Sequence, residues 1–469
     1  MSAQLTLPDD VLGWIADEAG APVLRADRIP GGGTRQGWFV DVGAPHGPAR
    51  ELFLRYSPEA LPERSAFHRL ASEAQVMRAL AGAGIPVPGV HAVHPEREAV
   101  LLDRVPGDTW FYRIRDPQEQ VRVAQDFIRT LAAVHRLDPG TLDVPGLGPV
   151  RSAREHALER IEGIRRRGTA PDGSMDPLVR LSADWLERNV PDYDGPVVLV
   201  QGDTGPGNFL YRDGRVTAVL DWELCHWGDP MDDIAWLSLR TVQDTFTHLP
   251  DRLAEYAAAS GHPIDVDRVW YYRVFAETTM ATLNPDEPGA DDDGEAHAQK
   301  DVGNLMLYRQ LHRRLWLEAL DVVMELGLTR PEALPPAELP HWHGLYGDAL
   351  AMLRTVTPRI EDPLAVQWTK GVARLVTYLR DLDASGRQAV ELELDDLAAA
   401  LGWRPGSVVE GRRAIADAVA AGKVRQETYV RYLWNAVMRE DHLMRSASGA
   451  LSRRSWPALV DPQPEGRTP

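Results

Sequence analysis

The spacing of apolar and polar positions changes character along the chain. Residues 8–20 (PDDVLGWIADEAG) read as a short helix, in which Pro8, Asp9 and Asp10 suit the first turn and Gly20 suits the stop. The segments VLRADRIPGGGTRQGWFVDV and RELFLRYSP then read as three short strands, with Gly31, Gly32 and Gly33 in the first turn. Residues 65–83 return to helical spacing, with Phe67, Leu70, Ala74, Met77 and Leu80 recurring on one face. Residues 85–105 fit two further strands joined by a turn. The first 105 residues therefore predict a small antiparallel sheet with one crossing helix.

From Gln118 to about Gly327 the pattern is mainly helical. It is interrupted at 197–221, where VVLVQGD and VTAVLDW read as short buried strands around a loop. The segment TRPEALPPAELP (329–340) is rich in proline and reads as a linker. Residues 341–447 predict several amphipathic helices, broken near the middle by Gly402, Pro405 and Gly406. The terminal PQPEGRTP is expected to be disordered, and no internal repeat of fixed period is present. The expected organisation is a sheet-bearing lobe over 1–105, a helical lobe over 106–328, the linker, and a helical region over 341–460.

Composition sharpens this in two ways. Of the 51 basic residues only Lys300, Lys370 and Lys423 are lysine, so the first 299 residues contain none. A P-loop needs G-x-x-x-x-G-K-[ST]. Lys423 follows Gly422, but the earlier glycine position is Asp417, so that motif is excluded. Any phosphate-binding cation in the N-terminal half has to be arginine. The net charge of −18 argues against nucleic acid as a partner, because phosphate backbones require a basic stripe.

The single cysteine, Cys225, excludes an internal disulfide and a thiolate zinc site, and reads as a buried structural residue. The pair His341 and His343 has no carboxylate or cysteine cluster beside it and does not read as a metal site. The start MSAQLTLPDD lacks the apolar core of a secretory signal, and no run of 18 apolar residues offers a membrane span. The chain is expected to be soluble and cytoplasmic, without a membrane partner.

The chemistry concentrates in residues 198–237, VLVQGDTGPGNFLYRDGRVTAVLDWELCHWGDPMDDIAWL. Phosphoryl transfer asks for an acid that orients the acceptor hydroxyl and for hard oxygen ligands that hold Mg²⁺ on nucleotide phosphates. Asp203 and Asn208, five positions apart in one loop, offer the acid and an amide oxygen. Asp221, thirteen positions further on at the end of a strand, offers a second carboxylate. Asp213-Gly214 is a hairpin signal that folds Asp221 back toward Asn208.

This string resembles the aminoglycoside phosphotransferase-like branch of the protein-kinase-like fold. Its signature is H-G-D-x-x-x-x-N, a hairpin, D-W-E, then G-D-P-x-x-D-L-A; here QGDTGPGN, VLDWELCHWGDP and MDDIAW stand in those places. The likeness is greatest to the kinase-like domains fused to acyl-CoA dehydrogenases, and it covers about residues 20–320.

The resemblance implies an α+β, bilobal fold with a small antiparallel N-lobe and a mainly helical C-lobe, plus an all-α C-terminal domain. It implies Asp203 as the catalytic aspartate and Asn208 and Asp221 as Mg²⁺ ligands. Gly31, Gly32 and Gly33 would cover the phosphates, and Arg55 would hold them with Glu73 as its partner. Leu102 to Val105, including Arg104, would form the hinge that receives the adenine or guanine. Asp229 and Asp233 would hold the catalytic loop, and Glu223 would line the site or support it.

The implied reaction moves the γ-phosphoryl group of ATP or GTP to a hydroxyl of a small molecule. A hydroxylated metabolite or hydroxyacyl thioester stands ahead of an aminoglycoside-like cation, which the acidic run DEPGADDDGE (286–295) would favour. Two departures from the pattern, Gln201 for histidine and Arg55 for lysine, also admit a nucleotide-binding scaffold without turnover. Within 341–460, LELDDLAAALGWRPGSVVEGRRAIADAVAAGKV superficially resembles a helix-turn-helix, but acids there are at least as common as bases. Packing on the kinase-like region, or homodimerisation through this helical domain, fits its composition better.

Overall fold

The structure is a computed structural model that describes residues 7–29, 35–43, 49–58, 68–283, 302–335 and 339–461. The glycine run Gly31–Gly33, the acidic run 286–295 and the terminal PQPEGRTP lie outside them. The chain forms two compact units. One comprises Met1–Arg160, Val190–Tyr272 and Trp456–Pro469; the other comprises Ile161–Asn189 and Arg273–Ser455.

The first unit opens with α1 (Asp9–Ala19), which stops where Gly20 turns to φ 63°. Then follow β1 (Val23–Arg28), β2 (Gln36–Val42), β3 (Arg50–Tyr56), α2 (Leu70–Gly82), β4 (Val90–Val93) and β5 (Ala99–Asp103). The five strands form one antiparallel sheet in the order β1-β2-β3-β5-β4.

The register of β2 against β3 sets Trp38 opposite Leu54, Val40 opposite Leu52 and Gly37 opposite Arg55. Side chains alternate across a strand. One face therefore carries Trp38, Val40, Val42, Leu52, Leu54 and Tyr56, packed with Val11 and Ile15 of α1. The other face carries Phe39, Phe53 and Arg55, and it is this alternation in RELFLRY that turns Arg55 out of the core.

The helical lobe supplies α3 (Pro117–His135), α4 (Ala153–Gly168), α5 (Pro177–Arg188), β6 (Val198–Val200), β7 (Phe209–Arg212), β8 (Arg215–Val219), β9 (His226–Gly228), α6 (Pro230–Gln243), α7 (Leu249–Ser260) and α8 (Val266–Leu283). β6 pairs with β9 and β7 with β8, each as a two-stranded antiparallel ribbon. Asp213 and Gly214 turn the second ribbon at φ 51° and 76°, the positive-φ pair that hairpin twist requires. Helix α3 anchors that hairpin: Phe127 stacks on Phe209 at 4.3 Å between centroids, and Asp126 accepts the Val216 N–H at 2.9 Å.

The second unit contains α5, α9 (Val302–Met324), α10 (Gly344–Val356), α11 (Pro363–Leu401), α12 (Val408–Ala420), α13 (Gln426–Leu443) and α14 (Arg445–Ser448). α11 runs unbroken for 39 residues from its Asp362 cap to Gly402 at φ 79°. Ser407 then caps α12 by accepting the Glu410 N–H at 3.2 Å, while Glu410 accepts the Gly406 N–H at 2.8 Å.

The two units interleave along the chain instead of following one another. The segment Ile161–Asn189, which contains α5, belongs with the helices after Tyr272, where α5 packs on α12; within the same unit α9 packs on α13. Gln310 donates to the Val437 carbonyl at 2.7 Å, and buried Arg314 pairs with Asp441 at 3.5 Å. The start of the Pro-rich segment lies against α13, where Trp434 donates to the Thr329 carbonyl at 2.7 Å. Among the described residues no helix is long and apolar enough to cross a membrane.

Leu54 is fully buried in the sheet core. Leu54→Ala should lower stability by about 2–5 kcal/mol through lost transfer energy and a residual cavity, read as a lower midpoint in urea unfolding followed by tryptophan fluorescence.

Candidate active site

The loop between β6 and β7 carries Gln201, Gly202, Asp203, Thr204, Gly205, Pro206, Gly207 and Asn208. Its path depends on glycine. Gly202 sits at φ 84°, where a β-carbon would meet the Leu224 carbonyl oxygen at 2.5 Å; Gly205 sits at φ 142°, where one would meet Arg240 at 2.6 Å. The Asn208 amide nitrogen donates to both the carbonyl and the Oδ2 of Asp203 at 2.7 Å, which joins the two ends of the loop. The Leu220 N–H reaches the Asn208 carbonyl at 2.8 Å, so the chain leading to Asp221 returns alongside the loop. Asp221 itself takes φ 62°.

Asp233, fully buried near the start of α6, fixes the loop from below. It accepts the Gln201 N–H at 2.8 Å, the Gly202 N–H at 3.0 Å and the Thr204 hydroxyl. His135 at the end of α3 reaches the same carboxylate at 3.0 Å and the Tyr256 hydroxyl at 2.6 Å with its other nitrogen. The side chain of Gln201 donates to the Leu220 carbonyl and, at 3.5 Å, to the Asp221 carbonyl. Glutamine at this position thus ties the loop to the segment that bears Asp221.

Of the two acids expected to hold the loop, only Asp233 touches it. Asp229 caps α6 by accepting the Met231 N–H at 2.8 Å and pairs with Arg268 of α8 at 2.8 Å. Burial raises the Asp229 carboxyl above its usual range, and the Arg268 charge works against that rise.

Beside Asp221 lies a cluster of buried charge. Arg55 pairs with Glu73 Oε2 at 3.1 Å, with Asp221 Oδ1 at 3.0 Å and with Glu223 Oε2 at 3.0 Å. Glu73 is 0% exposed, and its second oxygen pairs with Arg35. Arg35 also reaches Glu223 at 3.2 Å and donates to the His68 carbonyl.

Two guanidinium groups therefore share two carboxylates. Burial pulls Arg35 below its usual value despite the charge of Glu223. Burial pulls on Arg55 too, but the charges and hydrogen bonds of Asp221 and Glu223 outweigh it, and Arg55 is raised. Burial and the adjacent Asp221 charge push Glu223 up to about 7, against the pull of both arginines. Cys225 is buried and its thiol is pushed up by burial, which fits a structural residue.

The structure thus places Asp203 with Asn208, and Arg55 with Glu73 and Asp221. Leu102 is buried in β5, flanked by β3 and β4. Arg104 follows β5 but lies over the Phe39 ring at 3.9 Å, with Asp41 at 3.8 Å and Glu51 at 3.5 Å, so its charge is engaged by the sheet. Sequence reasoning missed Arg35 and Arg240. Arg35 lies two residues beyond the glycine run, and Arg240 lies seven residues after Asp233, on the same face of α6.

A small sheet lobe, a helical lobe, and a loop pairing an acid with an asparagine beside an arginine–carboxylate cluster define the class of kinase-like phosphotransferases. The profile of the phosphotransferase enzyme family matches residues 26–272, and the chain belongs to that family.

Among curated proteins, acyl-CoA dehydrogenase family member 11 of Rattus norvegicus is 30% identical over 233 residues, 46% of this chain and 28% of the rat protein. Family member 10 of Mus musculus is 27% identical over 206 residues, 40% of this chain and 18% of that protein. The matches thus span well under a third of these relatives' length. Among solved structures, the choline kinase of Streptococcus pneumoniae is similar over 61% of this chain and 93% of its own, at 14% identity and a TM-score of 0.44. A macrolide 2′-phosphotransferase from Brachybacterium faecium is similar over 60% and 99%, at 21% identity and a TM-score of 0.40.

Asp233→Ala removes the acceptor for two buried N–H groups and leaves His135 without its carboxylate. It should cost about 3–5 kcal/mol, seen as a lower melting temperature in calorimetry.

Proposed function

We propose that the chain is a small-molecule kinase that moves the γ-phosphoryl group of ATP or GTP to a hydroxyl of its acceptor, with Mg²⁺. The observation that carries this reading is the pairing of Asp203 with Asn208 in a loop that runs beside the Asp221–Arg55–Glu73 cluster. The donor chemistry fits a hard cation: Asp221 offers a carboxylate, and the Asn208 amide nitrogen is spent on Asp203, which leaves its oxygen for a ligand. Asn208 and Asp221 would hold Mg²⁺, which when bound neutralises charge on the nucleotide phosphates.

The remaining work belongs to side chains. Asp203 orients the acceptor hydroxyl and takes its proton. Arg55 supplies positive charge for phosphate oxygens, and a guanidinium fork suits that geometry, while buried Arg35 supports it by sharing Glu73 and Glu223. Glu73 keeps both guanidinium groups in place from a site fully closed to water.

For the acceptor, the relatives are named as acyl-CoA dehydrogenase family members, which favours a hydroxylated metabolite or hydroxyacyl thioester. An aminoglycoside-like acceptor drew its support from the run 286–295, which lies outside the described residues.

The test is Mg²⁺-dependent nucleotide turnover over a panel of hydroxyacyl thioesters, hydroxylated metabolites and aminoglycosides. Asp203→Ala should lower turnover by roughly 10²–10⁴-fold. Equal, negligible turnover in both proteins with retained nucleotide binding would instead establish a nucleotide-binding scaffold. Arg55→Ala should weaken binding of a non-hydrolysable ATP analogue by about tenfold or more, the loss expected for one charged hydrogen-bond partner, as read by isothermal titration calorimetry.

A further inference from the structure

The loop 203–208 (DTGPGN) contains no cation of its own. Arg240 is brought to it from α6. Asp233, Leu237 and Arg240 recur at helical spacing on one face of that helix, and all three meet the loop. The contact depends on the loop's glycines: a β-carbon on Gly205 would sit 2.6 Å from Arg240 Cβ and 3.5 Å from Leu237, and one on Gly207 would sit 3.5 Å from Arg240 Nη2.

Among the described residues one hydrogen bond and one ion pair hold the guanidinium. Arg240 Nη1 donates to Gln243 Oε1 at 3.0 Å. Its Nε lies 3.2 Å from Asp203 Oδ1 yet closes no hydrogen bond among the described residues, although the atom is buried. A buried charged donor left without a hydrogen bond is costly unless something completes it. This donor stands beside the carboxylate assigned above to the acceptor hydroxyl.

We propose that Arg240 is a catalytic residue of the kinase reaction, one that binds the phosphoryl group while it passes between nucleotide and acceptor; this rests on the kinase reading above. In that step the bond from the γ-phosphorus to the β–γ bridging oxygen breaks, and the electron pair leaves with the nucleoside diphosphate. A bond forms from the acceptor oxygen to the phosphorus, and the hydroxyl proton goes to Asp203. Negative charge spreads over the equatorial oxygens of the phosphoryl group during the transfer. A fixed guanidinium beside Asp203 stabilises that charge more than it stabilises the bound nucleotide, which is the condition for raising the rate rather than merely the affinity. Arg55, held by Glu73, Asp221 and Glu223, is the guanidinium assigned to the ground-state phosphates.

The experiment compares wild type with Arg240→Ala and Arg240→Lys, using two probes. AMP-PNP with Mg²⁺ reports the ground state, and ADP with aluminium fluoride and Mg²⁺ mimics the transferring group. Arg240→Ala should bind AMP-PNP within about twofold of wild type and bind ADP–aluminium fluoride about 100-fold more weakly, the range for loss of one preorganised donor. Hydrolysis of ATP by water should fall by a similar factor and recover in part with added guanidinium chloride at millimolar concentration. Arg240→Lys, which keeps a charge, should lie between the two.

Equal weakening of both probes in Arg240→Ala and Arg240→Lys would make Arg240 a structural support of the loop and overturn the proposal, as would no change in either. A wild type that binds neither probe would overturn the kinase reading together with it. A wild type that binds both, beside an unaffected Arg240→Ala, would overturn this inference alone. Melting temperatures of the variants separate misfolding from loss of the contact.

Discussion

A carboxylate with no access to water, clamped between two guanidinium groups, is the constraint on which the first unit turns. An isolated ion in a protein interior is expensive, and only close pairing with good geometry offsets its lost hydration. Glu73 meets that condition by giving one oxygen to Arg35 and the other to Arg55. The three residues come from three separate pieces of chain: the exit of the glycine run, strand β3 and helix α2. Because Arg55 also takes Asp221 and Glu223, the same charge network fastens the sheet lobe to the segment that follows the loop of Asp203 and Asn208. If any member is displaced, the others are left as uncompensated buried charge.

A second network, built around Asp233, does the corresponding work for the loop itself. It collects backbone and side-chain donors from the loop and joins them to His135 and Tyr256 of the surrounding helices. The two networks meet through Gln201, whose backbone bonds Asp233 while its side chain bonds the carbonyls of Leu220 and Asp221. Glutamine can do this because its amide carries two donors on a flexible stem. Glutamine at this position therefore supplies a mechanical link between the two networks.

Much of this was legible in the sequence because it rests on local rules. Alternation in RELFLRY placed Arg55 off the core, Asp213-Gly214 announced a hairpin, and the five-residue spacing of Asp203 and Asn208 marked the loop. What escaped depends on contacts between distant elements. Arg35 gains its meaning from Glu73 and Glu223, and the Arg104 side chain takes its partners, Phe39, Asp41 and Glu51, from β2 and β3. Asp229 looked equivalent to Asp233 in sequence, yet a four-residue offset sends it to cap α6 and meet Arg268. The unbroken length of α11 was hidden as well, since Gly371 and Gly386 weaken a helical pattern that packing nevertheless sustains.

The guanidinium on β3 also decides which reagents can report on this site. Nucleotide-borne acylating tags work by transferring their label to a nearby primary amine, and no lysine precedes Lys300 in this chain. Such tags would find no lysine in the sheet lobe or in the loop of Asp203 and Asn208. Dicarbonyl reagents, which condense with arginine, would find Arg55 at the rim, where its side chain keeps 17% of its exposure, and would find Arg35 shut away at 2%. One guanidinium of the pair is thus open to chemical marking and the other is shielded, so that labelling of Arg35 would be a direct signal that the two lobes had come apart.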